Sequence, residues 1–288
     1  MLDEFDSIPT ESERAKFAEL LKCLGDRGSS IKFIFTAIGS TLDELLGAHQ
    51  SAHRQLHCIQ LPRLSFESRR EFVVNALEHF GLEIDDSVNW RIAIISDGFP
   101  YYLHTIVEHI LWSCFEHLNL IQKVASEIYR NGLQRAIEAI NIELKRPYEK
   151  AIHTSENDFE YVLWATSAKE DTHISTSTIY DDYESLVKSR KINATPLPRE
   201  KVTSIISKLK TDKYGSVLKS AERRGWLTYK DMIFRGYVRL QAEVNGIDLS
   251  EDRTIKKQIM HIPSAKYGYS GPRTPPGVNE NKIIEHDD

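Results

Sequence analysis

The chain has 288 residues, 41% of them hydrophobic and 9% aromatic, enough to bury a core and to fill more than one domain. No run comes near the ~18 consecutive apolar residues that cross a bilayer, and the first residues lack the basic-then-apolar pattern of a signal peptide. A cytoplasmic protein with no membrane partner is the expectation. The net charge is a modest −5, and three widely spaced cysteines, Cys23, Cys58 and Cys114, each among apolar neighbours, suit reduced core thiols rather than disulfides or a zinc knuckle.

Met1 to Glu4 reads as the end of a buried strand that carries an acidic pair, Asp3 and Glu4. The spacing of Ala15, Phe17, Ala18, Leu20, Leu21 and Leu24 predicts an amphipathic helix from Glu11 to Leu24, with Gly25 as its stop. Residues 31–38 form an almost continuous apolar, β-branched and aromatic run, which predicts a parallel strand covered on both faces. Strand, helix and strand make an α/β unit. Thr36 and Ser40 fall at or just beyond the carboxyl end of the second strand, where open α/β sheets place their ligand chemistry.

A short apolar segment, Leu42 to Leu46, precedes His49, His53 and Arg54, and the alternation from Gln55 to Leu61 predicts another strand ending at Pro62. His49, His53 and His57 are four apart, but a shared metal would need one helix through all three, and the alternation opposes that. Ser65 then caps a predicted helix from Phe66 to Phe80, closed by Gly81. A second helix covers Val88 to Ile95. It leads to Asp97-Gly98-Phe99-Pro100, a turn with proline at the first helical position, and His104 lies one turn further on.

Asn119 to Lys145 reads as one long helical stretch. From Tyr148 a second unit begins, with predicted helices at 159–168, 179–187 and 199–210. Two short strands follow at 214–221 and 225–229, around Glu222-Arg223-Arg224-Gly225, and a last helix at 234–244. Between Arg199 and Val244 stand eleven Lys/Arg against five Asp/Glu, a local balance of +6 in an acidic chain. Past Ser250 the sequence is rich in Pro, Gly and Ser and predicts a disordered tail.

Leu2-Asp3-Glu4-Phe5-Asp6 resembles the Walker B segment of AAA+ and STAND-type P-loop ATPases. There the first carboxylate helps to hold Mg2+ and the second orients the attacking water. The resemblance continues in order: Thr36, with Ser40 near it, falls where a polar sensor-1 residue stands. Arg54 is placed like the box VII arginine that reaches a neighbouring subunit's γ-phosphate, implying self-association. Gly98-Phe99-Pro100 is similar to the Gly-x-Pro turn of STAND ATPases, whose proline lies against the nucleotide base. His104 stands where many relatives have a sensor-2 arginine, implying a weaker, pH-dependent phosphate contact. Three helices and a hairpin resemble the winged-helix domain that follows the lid in archaeal-type and origin-recognition-type AAA+ ATPases.

The resemblance implies an α/β partial P-loop sheet over 1–64, a helical lid over 65–147, a winged helix over 148–249 and a tail over 250–288, mostly α in total. It implies ATP and Mg2+ as cofactors, with Asp3 on the metal and Asp3, Glu4 and Arg54 as the catalytic set. For nucleic acid it implies a recognition helix carrying Lys201, Lys208 and Lys210 in a major groove and wing residues Arg223 and Arg224 on phosphate. Winged helices of STAND proteins also pack inside the switch without touching DNA, so both uses stay open.

The departure is the P-loop. No glycine is followed by lysine anywhere in the chain, so no G-x-x-x-x-G-K-[ST] motif is present. The chain therefore reads as the C-terminal portion of an ATPase, N-terminally truncated, that depends on a P-loop half from elsewhere and does not hydrolyse ATP alone. The alternative is a catalytically silent DNA-binding or scaffolding protein.

Overall fold

The computed structural model describes residues 1–8, 10–37, 57, 59, 61–153, 157–189, 192 and 194–249. In the first region, the Thr10 side chain accepts a hydrogen bond from the Glu13 amide and starts helix α1, Glu11–Asp26. The chain on either side of this helix pairs with itself. The Leu2 amide donates to the Ile34 carbonyl at 2.8 Å, and the Thr36 amide donates to the Leu2 carbonyl at 3.0 Å. Leu2 thus bridges Phe35 in parallel. Phe5 is buried between Phe17 and Phe35, its ring 5.2 and 4.8 Å from theirs, and the three make a small aromatic core.

The expected strand over 31–38 is reduced, within the described residues, to this single bridge. It is not covered on both faces either: Ile31 and Ile34 are 59% and 61% exposed. Successive side chains of a strand point to opposite faces: Phe35 packs on Phe5 and Phe17, whereas Ile34 beside it is left to solvent. His57, Ile59 and Leu61 lie in no strand, contrary to the alternation that predicted one. Cys23 is exposed on α1 rather than buried, and Cys114 is half-buried, its thiol pKa raised by burial.

The second region is almost wholly helical. Ser65 caps α2, Phe66–Glu78, as expected, its side chain accepting from the Ser68 amide. Strand β1, Glu83–Ile84, leads into α3, Asp86–Ile95, and α4, Pro100–Phe115. The single helix expected over 119–145 is instead three elements: β2, Lys123–Val124, α5, Ser126–Ala139, and α6, Ile142–Ile152. Strand β2 pairs in parallel with β1. Ile140 is extended and the Asn141 side chain accepts from the Glu143 amide, so a local cap overrides a hydrophobic periodicity that runs on through it.

Helix α7, Asp158–Thr166, strand β3, Ile174–Ser175, helices α8, Thr176–Lys188, and α9, Arg199–Lys208, then strands β4, Leu218–Ser220, and β5, Trp226–Tyr229, and helix α10, Met232–Val244, complete the described elements. The three strands form one antiparallel sheet in the order β3-β5-β4. Its first strand was not expected, being two residues long. Buried apolar side chains run without a break from Val73 to Ile247 in one cluster. The boundary expected at 147/148 falls inside α6, and α10 packs on α3, α5, α6 and α7, so the lid span and the following span share a core. Among the described residues no helix is long and apolar enough to cross a membrane.

Candidate functional site

Helix α3 ends at Ser96, and the next two residues both take left-handed backbone, Asp97 at φ 52° and Gly98 at φ 79°. Such a φ favours glycine and is uncommon for aspartate. Here it reverses the chain ahead of Pro100 and turns the Asp97 carboxylate inward. A side chain at Gly98 has no room, since a Cβ there would stand 2.8 Å from the Arg63 Cβ and 2.9 Å from the Leu64 carbonyl oxygen.

Three arginines meet Asp97, and two of them come from α10. Arg235 donates through Nε to Oδ2 at 2.8 Å and through Nη2 to Oδ1 at 2.9 Å, a two-pronged grip. Arg239 Nη1 donates to Oδ1 at 2.7 Å, and Arg63 Nη1 to the same oxygen at 2.8 Å. Asp97, Arg235 and Arg239 are fully buried. Burial alone would raise the Asp97 pKa, but Arg239, Arg235 and Arg63 outweigh it and hold the carboxyl below the usual carboxylate range. Burial, together with Arg235 and Arg69, lowers the Arg63 pKa.

One carboxylate cannot neutralise three guanidinium groups, and backbone carbonyls take up the remaining donors. Arg235 reaches the carbonyls of Asp171 and Glu170 at 2.6 and 3.0 Å. Arg239 reaches those of Ser167, Lys169 and Ile94 at 2.8, 2.7 and 3.1 Å. The loop after α7 is therefore drawn into the same clasp. Beside it, Tyr102 on α4 donates to the Ile233 carbonyl at 2.6 Å, and its ring fills the notch left by Gly236, where a Cβ would stand 2.3 Å from the ring. One turn beyond Arg239, buried Glu243 accepts from Tyr129 at 2.9 Å and pairs with Arg91 at 2.7 Å. Burial raises the Glu243 pKa despite both partners.

This clasp was not among the expected site residues. Arg235 and Arg239 had been counted with the cations of a basic face, and they turn inward. The sequence held a signal: two arginines four apart in a helix whose other positions include Phe234, Tyr237, Val238 and Leu240.

Of the expected nucleotide residues, the structure brings Asp3 and Thr36 together, the Thr36 hydroxyl donating to Asp3 Oδ1. Glu4 is exposed with left-handed backbone at φ 52°. Gly98 and Pro100 flank the clasp at the start of α4. His104 does not stand with them: its ring packs edge-on against Phe72 at 4.8 Å. Arg54 and Ser40, with His49 and His53, lie outside the described residues. Asp3 bonds within its own region, its Oδ1 accepting from the Glu4 amide and from the Thr36 hydroxyl. An acidic residue paired with a hydroxyl suits the water shell of Mg2+, and no glycine in the 288 residues is followed by lysine.

The expected nucleic-acid residues are exposed, with Lys210 half-buried. Lys208 Nζ stands 5.4 Å from the centre of the Phe159 ring, and Lys210 donates to Ser220 at 3.0 Å, joining the end of α9 to β4. Arg223 lies over Trp226 at 5.0 Å, in the turn between β4 and β5 that also holds Arg224.

No model of a known protein family matches the chain, and no curated protein matches it. Among solved structures it is similar to the crystal structure of Cdc6p from Pyrobaculum aerophilum, at 11% identity and a TM-score of 0.35, over 85% of this chain. The chain spans 65% of the length of that structure. A likeness at this level does not establish a family.

Proposed function

We propose that the chain is the C-terminal portion of an AAA+/STAND-type ATPase, a nucleotide-switched regulator in which the lid and a winged helix move as one body. The observation that carries this reading is the Asp97 clasp. Asp97 immediately precedes the Gly98-Phe99-Pro100 turn, which in the proposed class touches the nucleotide base, and it is held by two arginines of the last helix. A change in the turn's position on nucleotide binding therefore cannot be absorbed locally and is passed to α10 and its sheet. The parallel pairing of Leu2 with Phe35, with Asp3 beside Thr36, supports the same reading, because such ATPases place Walker B and sensor 1 on adjacent parallel strands.

In this proposal ATP and Mg2+ are completed by a P-loop half that these 288 residues do not contain, and Arg54 acts toward a neighbouring subunit. Thermal unfolding with and without Mg-ATP tests it, on a version joined to an upstream P-loop segment. The expected result is nucleotide-dependent stabilisation that Asp3→Ala or Glu4→Gln abolishes. Stabilisation that survives both substitutions, or none in any version, rejects it.

A second reading rests on the exposed cations of α9 and the β4-β5 turn: the α7-α8-α9 helices and three-stranded sheet form a winged helix that binds DNA without regard to nucleotide. Its sign is duplex binding that weakens steeply with salt and is lost on Lys208→Ala with Lys210→Ala. Arg235 and Arg239 contribute nothing to it, being buried on Asp97.

A further inference from the structure

Helices α2 and α4 border an open groove of about 1030 Å3 on the helical body. Phe72, Ala76 and Phe80 line one side at four-residue intervals along α2 and its end. Val107, Leu111 and Phe115 line the other along α4, and the loop carrying Leu118 and Leu120 closes one end. Val107 belongs to the core and Phe72, Ala76 and Leu111 pack against it, but the rim does not: Phe80 is 63% exposed, Phe115 81% and Leu120 89%. Large apolar side chains left to solvent around one groove mark a place where something docks.

The charge in the groove narrows what that is. Glu108, on α4 midway along the stripe, is the one carboxylate among the described lining residues, which include no lysine or arginine. His104, His117 and Asn119 add uncharged or weakly basic polar groups. The stripe from His104 to Phe115 covers twelve residues, roughly 16 Å or three helical turns at ~1.5 Å per residue. Two apolar ridges of that length accept a helix laid along them, with apolar side chains at i, i+4 and i+7 between the ridges. A carboxylate at the midpoint in an otherwise apolar lining favours a cation on that helix's flank.

We infer that the α2/α4 groove is a docking site for an amphipathic helix of another protein, about three turns long, with an apolar face and a lysine or arginine placed to meet Glu108. None of its residues belongs to the clasp, and the one expected nucleotide residue in its lining, His104, is not needed for the docking.

The test uses the full chain and two labelled synthetic helical peptides of about 14 residues, one of leucine and lysine, the other of leucine and glutamate at the same spacing, with binding followed by fluorescence anisotropy. The lysine peptide binds about tenfold more tightly than the glutamate peptide, Phe115→Asp with Leu118→Asp removes its binding, and Glu108→Lys reverses the preference. Positions 108, 115 and 118 are exposed, and unchanged circular dichroism of the variants confirms that the fold is intact. Binding of neither peptide, equal binding of both, or binding untouched by the double substitution overturns the inference. So does concentration-dependent self-association of the chain that Phe115→Asp abolishes, which would put a second copy in the groove.

Discussion

Residues 1–37 and residues 61–249 have similar apolar content but very different burial. In the first region three phenylalanines cluster around one parallel bridge while Ile31 and Ile34 face outward. In the second, a continuous core is dense enough to bury Asp97, Arg235, Arg239 and Glu243. Buried charge is costly unless paired and hydrogen-bonded, so a region that tolerates four such groups has a large apolar stabilisation to set against them. The comparison teaches that the helical body rests on one large shared core, whereas the described residues of the short α/β unit rest on an aromatic cluster and a single bridge.

The sharpest way to break that contrast is Asp97→Ala. It removes the carboxylate that Arg235 and Arg239 share, and breaking a buried pair from one side typically costs about 3–5 kcal/mol. The main thermal transition should fall by about 10 °C. A fall of less than about 2 °C would mean that the carbonyls alone sustain the arginines. Gly236→Ala comes next. Its new methyl would meet the Tyr102 ring, and overpacking of this sort costs about 1–3 kcal/mol, readable as a lower urea midpoint that Tyr102→Leu partly restores.

Acid titration sharpens the comparison further. The folded Asp97 carboxyl lies below its unfolded value of about 3.9, so its stabilisation is complete above that pH and is lost as pH falls through the folded value. Glu243 has the opposite sign. Its folded pKa is raised, so its contribution is greatest below about pH 4.3 and is lost as pH rises through the folded value. Urea unfolding followed from pH 2.5 to 7 should show Asp97→Asn flattening the acid limb, and Glu243→Gln removing a decline just above it. The smallest effect on the main transition belongs to Phe5→Ala. It should shift that transition by under about 1 °C while amides 2–36 lose exchange protection, because the two regions unfold separately. A loss of several degrees would show that they share a core.

Much of the architecture could be read from the residues because it rests on local chemistry. Ser65 capped its helix, Pro100 opened α4, and the helices at 199–208 and 232–244 lie close to their expected ends. What could not be read depended on distant partners. The run at 31–37 has the composition of a covered strand, but cover comes from neighbours that the periodicity cannot count. Asn141 interrupted a helix whose apolar spacing carried on, a contest decided by one side-chain hydrogen bond. For the candidate site, Gly98 and Pro100 were visible as a turn, and Asp3 and Thr36 as residues of two separate strands, but not the hydrogen bond between them. The clasp was hidden because arginines in a basic stretch look solvent-facing until the aspartate 138 residues earlier is set against them.

That separation has a consequence in time. At roughly 5–20 residues per second, a ribosome that has just released Asp97 needs on the order of 10–30 s before Arg235 and Arg239 exist. Through most of that interval α2 to α4 are already synthesised yet unfinished at their centre, with the Asp97 carboxylate still lacking both arginines of α10. Helix α10 is thus the closing stitch of this body, and a chain interrupted before it leaves α2 to α4 without the partner they were built around.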